Sequence, residues 1–409
     1  MASARRGEGA LAALIAGAAV ILVVGAALLY FGTTVNPVHT TPAAIPSTSA
    51  DTDAGRYAPA VDEGRQLARA LLVAENVPGL SVAVALDGAI VWTEGFGYAA
   101  ADRTLVTPTT RFRLGALSKP MTSVAAALLY DRGRLDLDAP VQRYVPAYPQ
   151  KQWTITTRQL MGDVAGVHRG RGDNVDGDSM PTQHCANLDQ AVALFADDRL
   201  RFEPGTQYRY SIYGWVLVSA VVERAGGEPF TSFMEREVFE PLGMDRTVVA
   251  DREGVDDAAS YTPRSIVGTR LGIEDDPPPD YSCLAGAGAV LSTPSDLVRL
   301  GSAVLKPGLL RAETIKVLQT PMRLASGTST TYGLGWTVRS VELAGQQVRM
   351  VSHRGSPRGG TVSLLTFPDL GLAVAAAANM TDVAGVNRLA LQVADAFTRH
   401  QGPRNRSTQ

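Results

Sequence analysis

The sequence predicts an α+β fold in which one antiparallel sheet is built from both ends of the chain, flanked by helices, and interrupted by a mostly helical inserted domain. Strand-like runs occur early, around residues 80–97, and return only near the C-terminus, around residues 332–379. Between them, residues 115–320 alternate helical stretches with Gly/Pro-rich loops. The two sets of strands therefore belong to one sheet, with the helical domain inserted between them.

The early elements are a helix and a hairpin. Residues 61–76 carry apolar side chains at helical spacing, and Pro78-Gly79 ends the pattern. Two β-rich runs follow, joined by Asp87-Gly88. This dipeptide favours a tight hairpin turn because both positions tolerate positive φ.

The late elements are four strand candidates and a last helix. The strand candidates are residues 332–343, 346–353, 360–367 and 371–379. The helix carries apolar side chains on one face, at Val386, Leu389, Val393 and Phe397. We expect a ligand pocket where the inserted domain meets the sheet.

The N-terminus contains a long apolar run. Residues 11–31 include no charged side chain, and a helix of this length spans a bilayer core of about 30 Å. Arg5 and Arg6 precede the run and the next charged residue is Asp51, so residues 1–10 are predicted to be cytoplasmic and the domain periplasmic or extracellular. We therefore predict a single-pass membrane anchor. The alternative is a cleaved signal peptide, whose apolar region is normally about 7 to 15 residues long.

The rest of the chain divides into three parts. Residues 32–58 are rich in Thr, Pro and Ser and predict a disordered linker, in which His39 is expected to be solvated. Residues 59–400 are the predicted folded domain, and residues 401–409 a tail.

The composition excludes some classes of function. The net charge is -2, with 45% hydrophobic and 19% charged residues, so the chain has no field that attracts nucleic acid. Outside the cytoplasm, Cys185 and Cys283 are expected to form a disulfide, the alternative being two buried free thiols. His168 and His184 lack metal-like spacing with each other or with the cysteines, so no metal or cofactor is expected.

The dipeptide Ser118-Lys119 raises the question of serine chemistry. A serine three residues before a lysine lies on the same helix face, where a neutral amine can take its proton. Here that position holds Ala116. Neighbouring helix residues point about 100° apart, so Ser118 does not share a face with Lys119 in this way.

Three separated segments carry a family resemblance. They are "FRLGALSKPMTSV", "YRYSIYGWVLVSAVVERAGG" and "HRGSPRGGTVSLLTFPDLGLAVAAAAN". They resemble the serine β-lactamase and penicillin-binding-protein superfamily, in its class C and DD-peptidase-like branch. The framework segments "DRGRLDLDAPVQRYVPAYP" and "FEPGTQYRYS" are most similar to mitochondrial β-lactamase-like serine proteases and their bacterial relatives. The resemblance covers roughly residues 61–397 and implies a β-lactamase fold and serine hydrolase chemistry without a cofactor.

The resemblance also implies roles for particular residues. Lys119 matches the lysine of the active-site helix, and Tyr210 matches the tyrosine that supplies a second proton-transfer group. His353 and Gly355 match the Lys/His-x-Gly strand motif, which forms the substrate wall and helps to form the oxyanion site. Ala116 matches the nucleophile.

Three other positions depart from the family pattern. Ile212 stands where an asparagine usually bonds a substrate amide. "DVAG", which begins at Asp163, stands where a loop usually reads His-x-Ser-Gly. Arg354 occupies the middle of the strand motif, where a small or hydroxyl residue is commoner.

The leading hypothesis is a membrane-anchored, extracytoplasmic β-lactamase-like protein that has lost its nucleophile. It would bind a peptide or peptidoglycan-like ligand, or a protein partner, without acyl transfer. One alternative is an active peptidase, esterase or weak β-lactamase that uses Ser118 or a water activated by Lys119 and Tyr210. Another is a structural or assembly role in which the pocket is incidental. The sequence makes no prediction of the oligomeric state.

Overall fold

A computed structural model describes residues 2–33, 36–50, 55–168, 183–250, 252, 254, 257–266, 269–277 and 279–401. The strands are β1 (Ser47–Ser49), β2 (Gly79–Leu86), β3 (Ala89–Gly97), β4 (Phe112–Arg113), β5 (Val248–Val249), β6 (Tyr261–Ile266), β7 (Thr269–Asp275), β8 (Val290–Ser292), β9 (Thr337–Leu343), β10 (Gln346–Gly355), β11 (Thr361–Phe367) and β12 (Leu372–Ala378). The helices are α1 (Ala2–Thr33), α2 (Ala58–Ala74), α3 (Ser118–Asp131), α4 (Thr157–Met161), α5 (Leu188–Ala193), α6 (Ile212–Gly226), α7 (Phe230–Met234), α8 (Pro294–Ala303), α9 (Ala312–Leu318) and α10 (Gly385–Arg399).

The central sheet is antiparallel and has the strand order β1-β3-β2-β12-β11-β10-β9. The two ends of the chain meet where β2 pairs with β12, with Leu80 opposite Ala378 and Leu86 opposite Leu372. The turn between β2 and β3 has positive φ at both Asp87 and Gly88, as that dipeptide predicted. The predicted α+β fold, with one sheet made from both chain ends, is confirmed.

Different layers cover the two faces of this sheet. Helices α2 and α10 pack on one face over an apolar core that includes Trp92 stacked on Phe397, with ring centroids 6.3 Å apart. Helix α8 packs on β2 and β12 from the other side, where the inserted region builds a second core. Within that region α3 is buried from Ser118 to Leu129. It forms the centre of the inserted layer.

The inserted region contains more β-structure than the sequence predicted. Strands β4, β8 and β5 form a small sheet, and β6 pairs with β7 as a hairpin. Strands of two or three residues, such as β4, β5 and β8, are too short to show alternating polarity in a sequence. The prediction of a mostly helical insertion holds for α3 to α9 and misses these strands.

The predicted disordered linker is wrong for residues 36–50. Ser47–Ser49 form β1, which pairs with β3 at the edge of the sheet. His39, predicted to be solvated, is buried, bonds the Pro78 carbonyl through Nε2 at 2.9 Å and stacks on Tyr98. The physical reason is the open edge of β3, whose backbone groups gain partners when a short segment pairs with them.

Two further expectations concern the N-terminus and the cysteines. Over the part of the chain that the structure describes, no helix has both the length and the apolar character needed to cross a membrane. The membrane span over residues 11–31 stays a prediction. The disulfide between Cys185 and Cys283 is present, so that prediction is confirmed. Most of the predicted tail, residues 402–409, lies outside the described residues.

Candidate active site

The residues before α3 place Ala116 at the mouth of a cleft. Gly115 has φ +52, a left-handed conformation that glycine adopts without a Cβ clash. The chain then makes one 3-10 turn, Gly115–Leu117, and enters α3. Pro120 lies in the first helical turn, where the missing N–H has no intrahelical partner to lose. The side chain of Ala116 lines the cleft.

Lys119, in the first turn of α3, is fully buried. Its Nζ lies over the ring of Tyr210, 3.3 Å from the ring centroid. Tyr210 lines the cleft and directly precedes Ser211, whose hydroxyl accepts from Gly214 N and so caps α6. The structure therefore brings Ala116, Lys119 and Tyr210 together, as the resemblance implied.

His353 and Gly355 contribute the strand wall of the cleft from β10. The Nδ1 of His353 bonds the carbonyl of Arg354 at 2.8 Å, which makes Nδ1 the protonated nitrogen. Nε2 then accepts from the hydroxyl of Tyr332 at 3.1 Å. Burial lowers the pKa of His353 to about 3, and the charge of Lys119 acts in the same direction. His353 is therefore a neutral, fixed hydrogen-bonding group at pH 7.

Gly355 is where the strand wall touches the loop before Ala116. A Cβ on Gly355 would lie 1.9 Å from the carbonyl oxygen of Leu114. Only glycine permits this approach, which holds the edge of β10 against the chain that carries the nucleophile position.

Asp163 is a fully buried carboxylate near Lys119. Its Oδ1 accepts from the backbone N–H of Ser211 at 3.2 Å. Burial raises the pKa of Asp163 to about 7, while the positive charge of Lys119 acts to lower it. The sequence identified Asp163 as a departure from the family loop but did not predict its electrostatic interaction with Lys119.

The cleft has a volume of about 460 Å³. Its lining is formed by Ala116, Tyr208, Tyr210, Tyr332, Thr337, His353, Arg354, Gly355, Ser356, Thr361, Val362, Ser363, Asp382, Val383, Ala384 and Asn387. Sequence reasoning missed Tyr332, which orients His353, and Tyr208, whose ring lies 5.7 Å from that of Tyr332. The signal available for Tyr332 was an aromatic residue beside the "GLGW" turn that enters the β9 region.

Three predicted site residues lie outside this lining: Lys119, which is buried beside Tyr210, Ser118 and Ile212. Ser118 is fully buried, and its hydroxyl accepts from the backbone N–H of Val290 at 3.2 Å. Ile212 packs against the apolar cluster of Tyr281, Leu284 and Ala289. Arg354 lies at the cleft, and its side chain is exposed. The cleft is lined by three tyrosines, Tyr208, Tyr210 and Tyr332, and has a methyl group, that of Ala116, at the position that the resemblance assigns to the nucleophile.

Comparisons with known proteins show the family and agree with the fold described above. The family described as Beta-lactamase matches residues 65–396. The human "Serine beta-lactamase-like protein LACTB, mitochondrial" is 27% identical over 455 residues, which cover 86% of this chain and 82% of that protein. The octameric penicillin-binding protein homologue from Pyrococcus abyssi has a similar fold, with a TM-score of 0.70, 22% identity and coverage of 83% of this chain and 77% of that chain. The D-amino acid amidase from Ochrobactrum anthropi SV3, complexed with D-phenylalanine, is similar with a TM-score of 0.67, 23% identity and coverage of 81% and 99%.

Proposed function

The chain belongs to the beta-lactamase family, and on that premise we propose that it binds a peptide or peptidoglycan-like ligand in the cleft without forming an acyl-enzyme. The observation that carries this proposal is the position of Ala116, which lines the cleft one helical turn before Lys119. Acyl transfer in a serine hydrolase begins with a nucleophilic oxygen, and a methyl group supplies none.

The position of Ser118 argues against a replacement nucleophile. Its hydroxyl is buried in a hydrogen bond that supports β8. To reach a ligand it would have to leave the Val290 amide without a partner, which costs about 1–3 kcal/mol. A water activated by Lys119 and Tyr210 lacks the covalent intermediate that divides a difficult hydrolysis into two easier steps. Both routes to an active hydrolase are therefore weaker proposals than binding alone.

Covalent probes test the absence of acyl transfer. The full-length protein is incubated with a fluorescent penicillin and, separately, with a fluorophosphonate, beside the variants Ala116→Ser and Ser118→Ala. We expect no labelling of the unmodified chain and detectable labelling of Ala116→Ser. Labelling of the unmodified chain that disappears in Ser118→Ala would overturn the proposal in favour of an active serine hydrolase.

Equilibrium binding tests whether the cleft takes a ligand. An acylated D-alanyl-D-alanine peptide is titrated into the unmodified protein and into Arg354→Ala by calorimetry. The exposed guanidinium of Arg354 lies at the cleft and is suited to the terminal carboxylate of such a peptide. Loss of one charge-assisted hydrogen bond, about 1.5 kcal/mol, weakens binding roughly tenfold. Absence of binding, or equal affinity in the two proteins, would contradict a peptide ligand in this cleft.

The proposal also places the domain outside the cytoplasm, tethered by its N-terminal segment. The support is the apolar run over residues 11–31, the exposed apolar side chains of α1 such as Leu22 and Leu28, and the disulfide, which persists in oxidising compartments. Fractionation of cells tests it. We expect the full chain in the membrane fraction after alkaline washing, and recovery in a cytoplasmic fraction with reduced cysteines would contradict it.

A further inference from the structure

Lys119 has a neighbour that favours its charged form, against the effect of burial, which by itself favours the neutral amine. Lys119 Nζ lies over the ring of Tyr210, at 3.3 Å from the centroid. The π face of an aromatic ring attracts a cation but does not accept its proton. This contact therefore stabilises an ammonium ion at the position where a serine hydrolase requires an amine that can accept a proton.

Asp163 adds a second interaction that favours the charged form of Lys119. Asp163 is buried and bonds the residues on both sides of Tyr210, whose ring contacts Lys119, and the charge of Lys119 acts to lower the pKa of Asp163. By the same interaction, ionised Asp163 makes the proton of Lys119 harder to remove. Because burial leaves the pKa of Asp163 at about 7, this effect grows as the pH rises through neutrality.

The backbone around Asp163 fixes this carboxylate relative to Tyr210. Asp163 has φ +54, a left-handed conformation that aspartate tolerates better than most residues. Its carbonyl accepts from Arg209 N at 2.8 Å and its Oδ1 accepts from Ser211 N at 3.2 Å. Both neighbours of Tyr210 are thus bonded to Asp163. The residue positions the ring over Lys119 and also supplies the negative charge.

We propose that Asp163 is a positioning residue that holds Lys119 as an ammonium ion, so that the cleft lacks its general base as well as its nucleophile. This inference rests on the proposed function and deepens it. A ligand in the cleft would contact Tyr210, with Lys119 buried against the ring of that tyrosine as a cation instead of a base. Restoring the missing hydroxyl at position 116 alone therefore gives a site that takes the hydroxyl proton only slowly at neutral pH.

A direct test follows the titration of the lysine, without ligand. The chain has four lysines, Lys119, Lys151, Lys306 and Lys316, so full-length protein labelled at the lysine ε-carbon gives few NMR signals. Lys119→Met assigns the signal of Lys119. In the unmodified chain we expect that signal to remain at its ammonium position from pH 6 to pH 8, against the effect of burial, which alone favours the neutral amine.

The variant Asp163→Asn isolates the charge. Asparagine keeps an oxygen that accepts from Ser211 N, so the loop retains that bond. Removal of a nearby opposite charge lowers the pH at which Lys119 loses its proton by about 1–3 units. The control is Asp296→Asn, which changes another buried carboxyl group, one bonded to Thr247 and Arg246, and leaves the Lys119 signal unchanged.

Two outcomes would overturn the inference. One is a neutral Lys119 at pH 8 in the unmodified chain, a result that remains decisive if Asp163→Asn does not fold. The other is an unchanged midpoint in a folded Asp163→Asn variant. Neither measurement involves a ligand or a covalent probe, so failure here is distinguishable from failure of the proposed binding function.

Acylation rates supply an independent readout. In Ala116→Ser, the introduced hydroxyl oxygen bonds the lactam carbon, the lactam C–N bond breaks, and the hydroxyl proton passes through the Lys119 amine to the leaving nitrogen. This transfer needs neutral Lys119. We expect the labelling rate of Ala116→Ser/Asp163→Asn to reach half its maximum at a pH about 1–3 units lower than that of Ala116→Ser. Identical pH profiles would overturn the inference.

Discussion

The two faces of the central sheet place very different demands on the sequence. Along β10, Val348 and Met350 belong to the apolar core under α2 and α10, whereas Val351 and His353 face the inserted region. The first face is filled by hydrophobic side chains whose fit depends on size and shape. The second face also packs against an apolar core, and that core borders the buried polar groups Lys119, Asp163 and His353. The fold needs both apolar cores, and the chemistry needs the polar groups beside the second.

This difference explains how a family fold could persist after loss of a catalytic residue, as proposed for Ala116. A hydrophobic core tolerates many substitutions if volume and pattern are kept, which fits 27% identity to a relative over 86% of this chain. A catalytic site depends on individual atoms, so an alanine in place of a reacting serine would remove the reacting oxygen while leaving the packing of a helix such as α3 intact. Three substitutions test the second face and the groups beside it.

Gly355→Ala tests whether the cleft wall is held by backbone contact. The added Cβ would lie 1.9 Å from the Leu114 carbonyl oxygen, so β10 and the loop before Ala116 must separate. We expect a loss of at least about 4 kcal/mol in the free energy of unfolding, measured with urea. The control is Gly308→Ala, where an added Cβ meets nothing within 4 Å. An equal, small effect of both substitutions would show that β10 and the loop before Ala116 can move apart at little cost in stability.

His353→Gln tests whether burial keeps His353 neutral, because a buried neutral histidine makes the free energy of unfolding depend on pH. Since the folded-state pKa of His353 is about 3 against 6.5 in its unperturbed state, its contribution to stability is fully present above pH 6.5. It is lost as the pH falls from 6.5 towards 3, because the unfolded chain then binds a proton that the folded chain does not. At pH 4 this loss in the free energy of unfolding is on the order of 3 kcal/mol. The variant does not show it because it has no imidazole at position 353.

Urea unfolding at pH 7 and pH 4 measures this effect as a difference between the two proteins, since the carboxyl groups titrate in both. The unmodified protein should lose its advantage over the variant at pH 4. A constant difference at the two pH values would mean that His353 is not a buried neutral group.

Ser118→Ala has the smallest expected effect and separates structure from chemistry. The Val290 amide loses its acceptor, which costs about 1–2 kcal/mol in the free energy of unfolding. Labelling of Ala116→Ser by the fluorescent penicillin should be unaffected by adding Ser118→Ala. Loss of that labelling in a folded double variant would place Ser118 in the reacting site after all.

The sequence predicts features that depend on local chemistry or on family order. Asp87-Gly88 predicted the β2–β3 hairpin because two positive φ angles are needed side by side. The meeting of Lys119, Tyr210 and His353 came from the resemblance, since no local pattern links positions so far apart in the chain. The interaction of Asp163 with Lys119, and the hydrogen bond from Tyr332 to His353, depend on three-dimensional placement alone. No periodicity or spacing encodes them.

The pairing of the short strand β1 with β3 makes the consequence of proteolysis depend on the position of the cut. A protease that cleaves before Asn36 releases a domain that still has Ser47–Ser49 paired with β3 and His39 under Tyr98. A cut after residue 50 removes both and leaves the N–H and C=O groups of β3 as an open edge, a template for pairing with another copy. Two cleavage sites only some fifteen residues apart, by the residue numbers, therefore separate a domain with a paired β3 from one with an open, aggregation-prone edge.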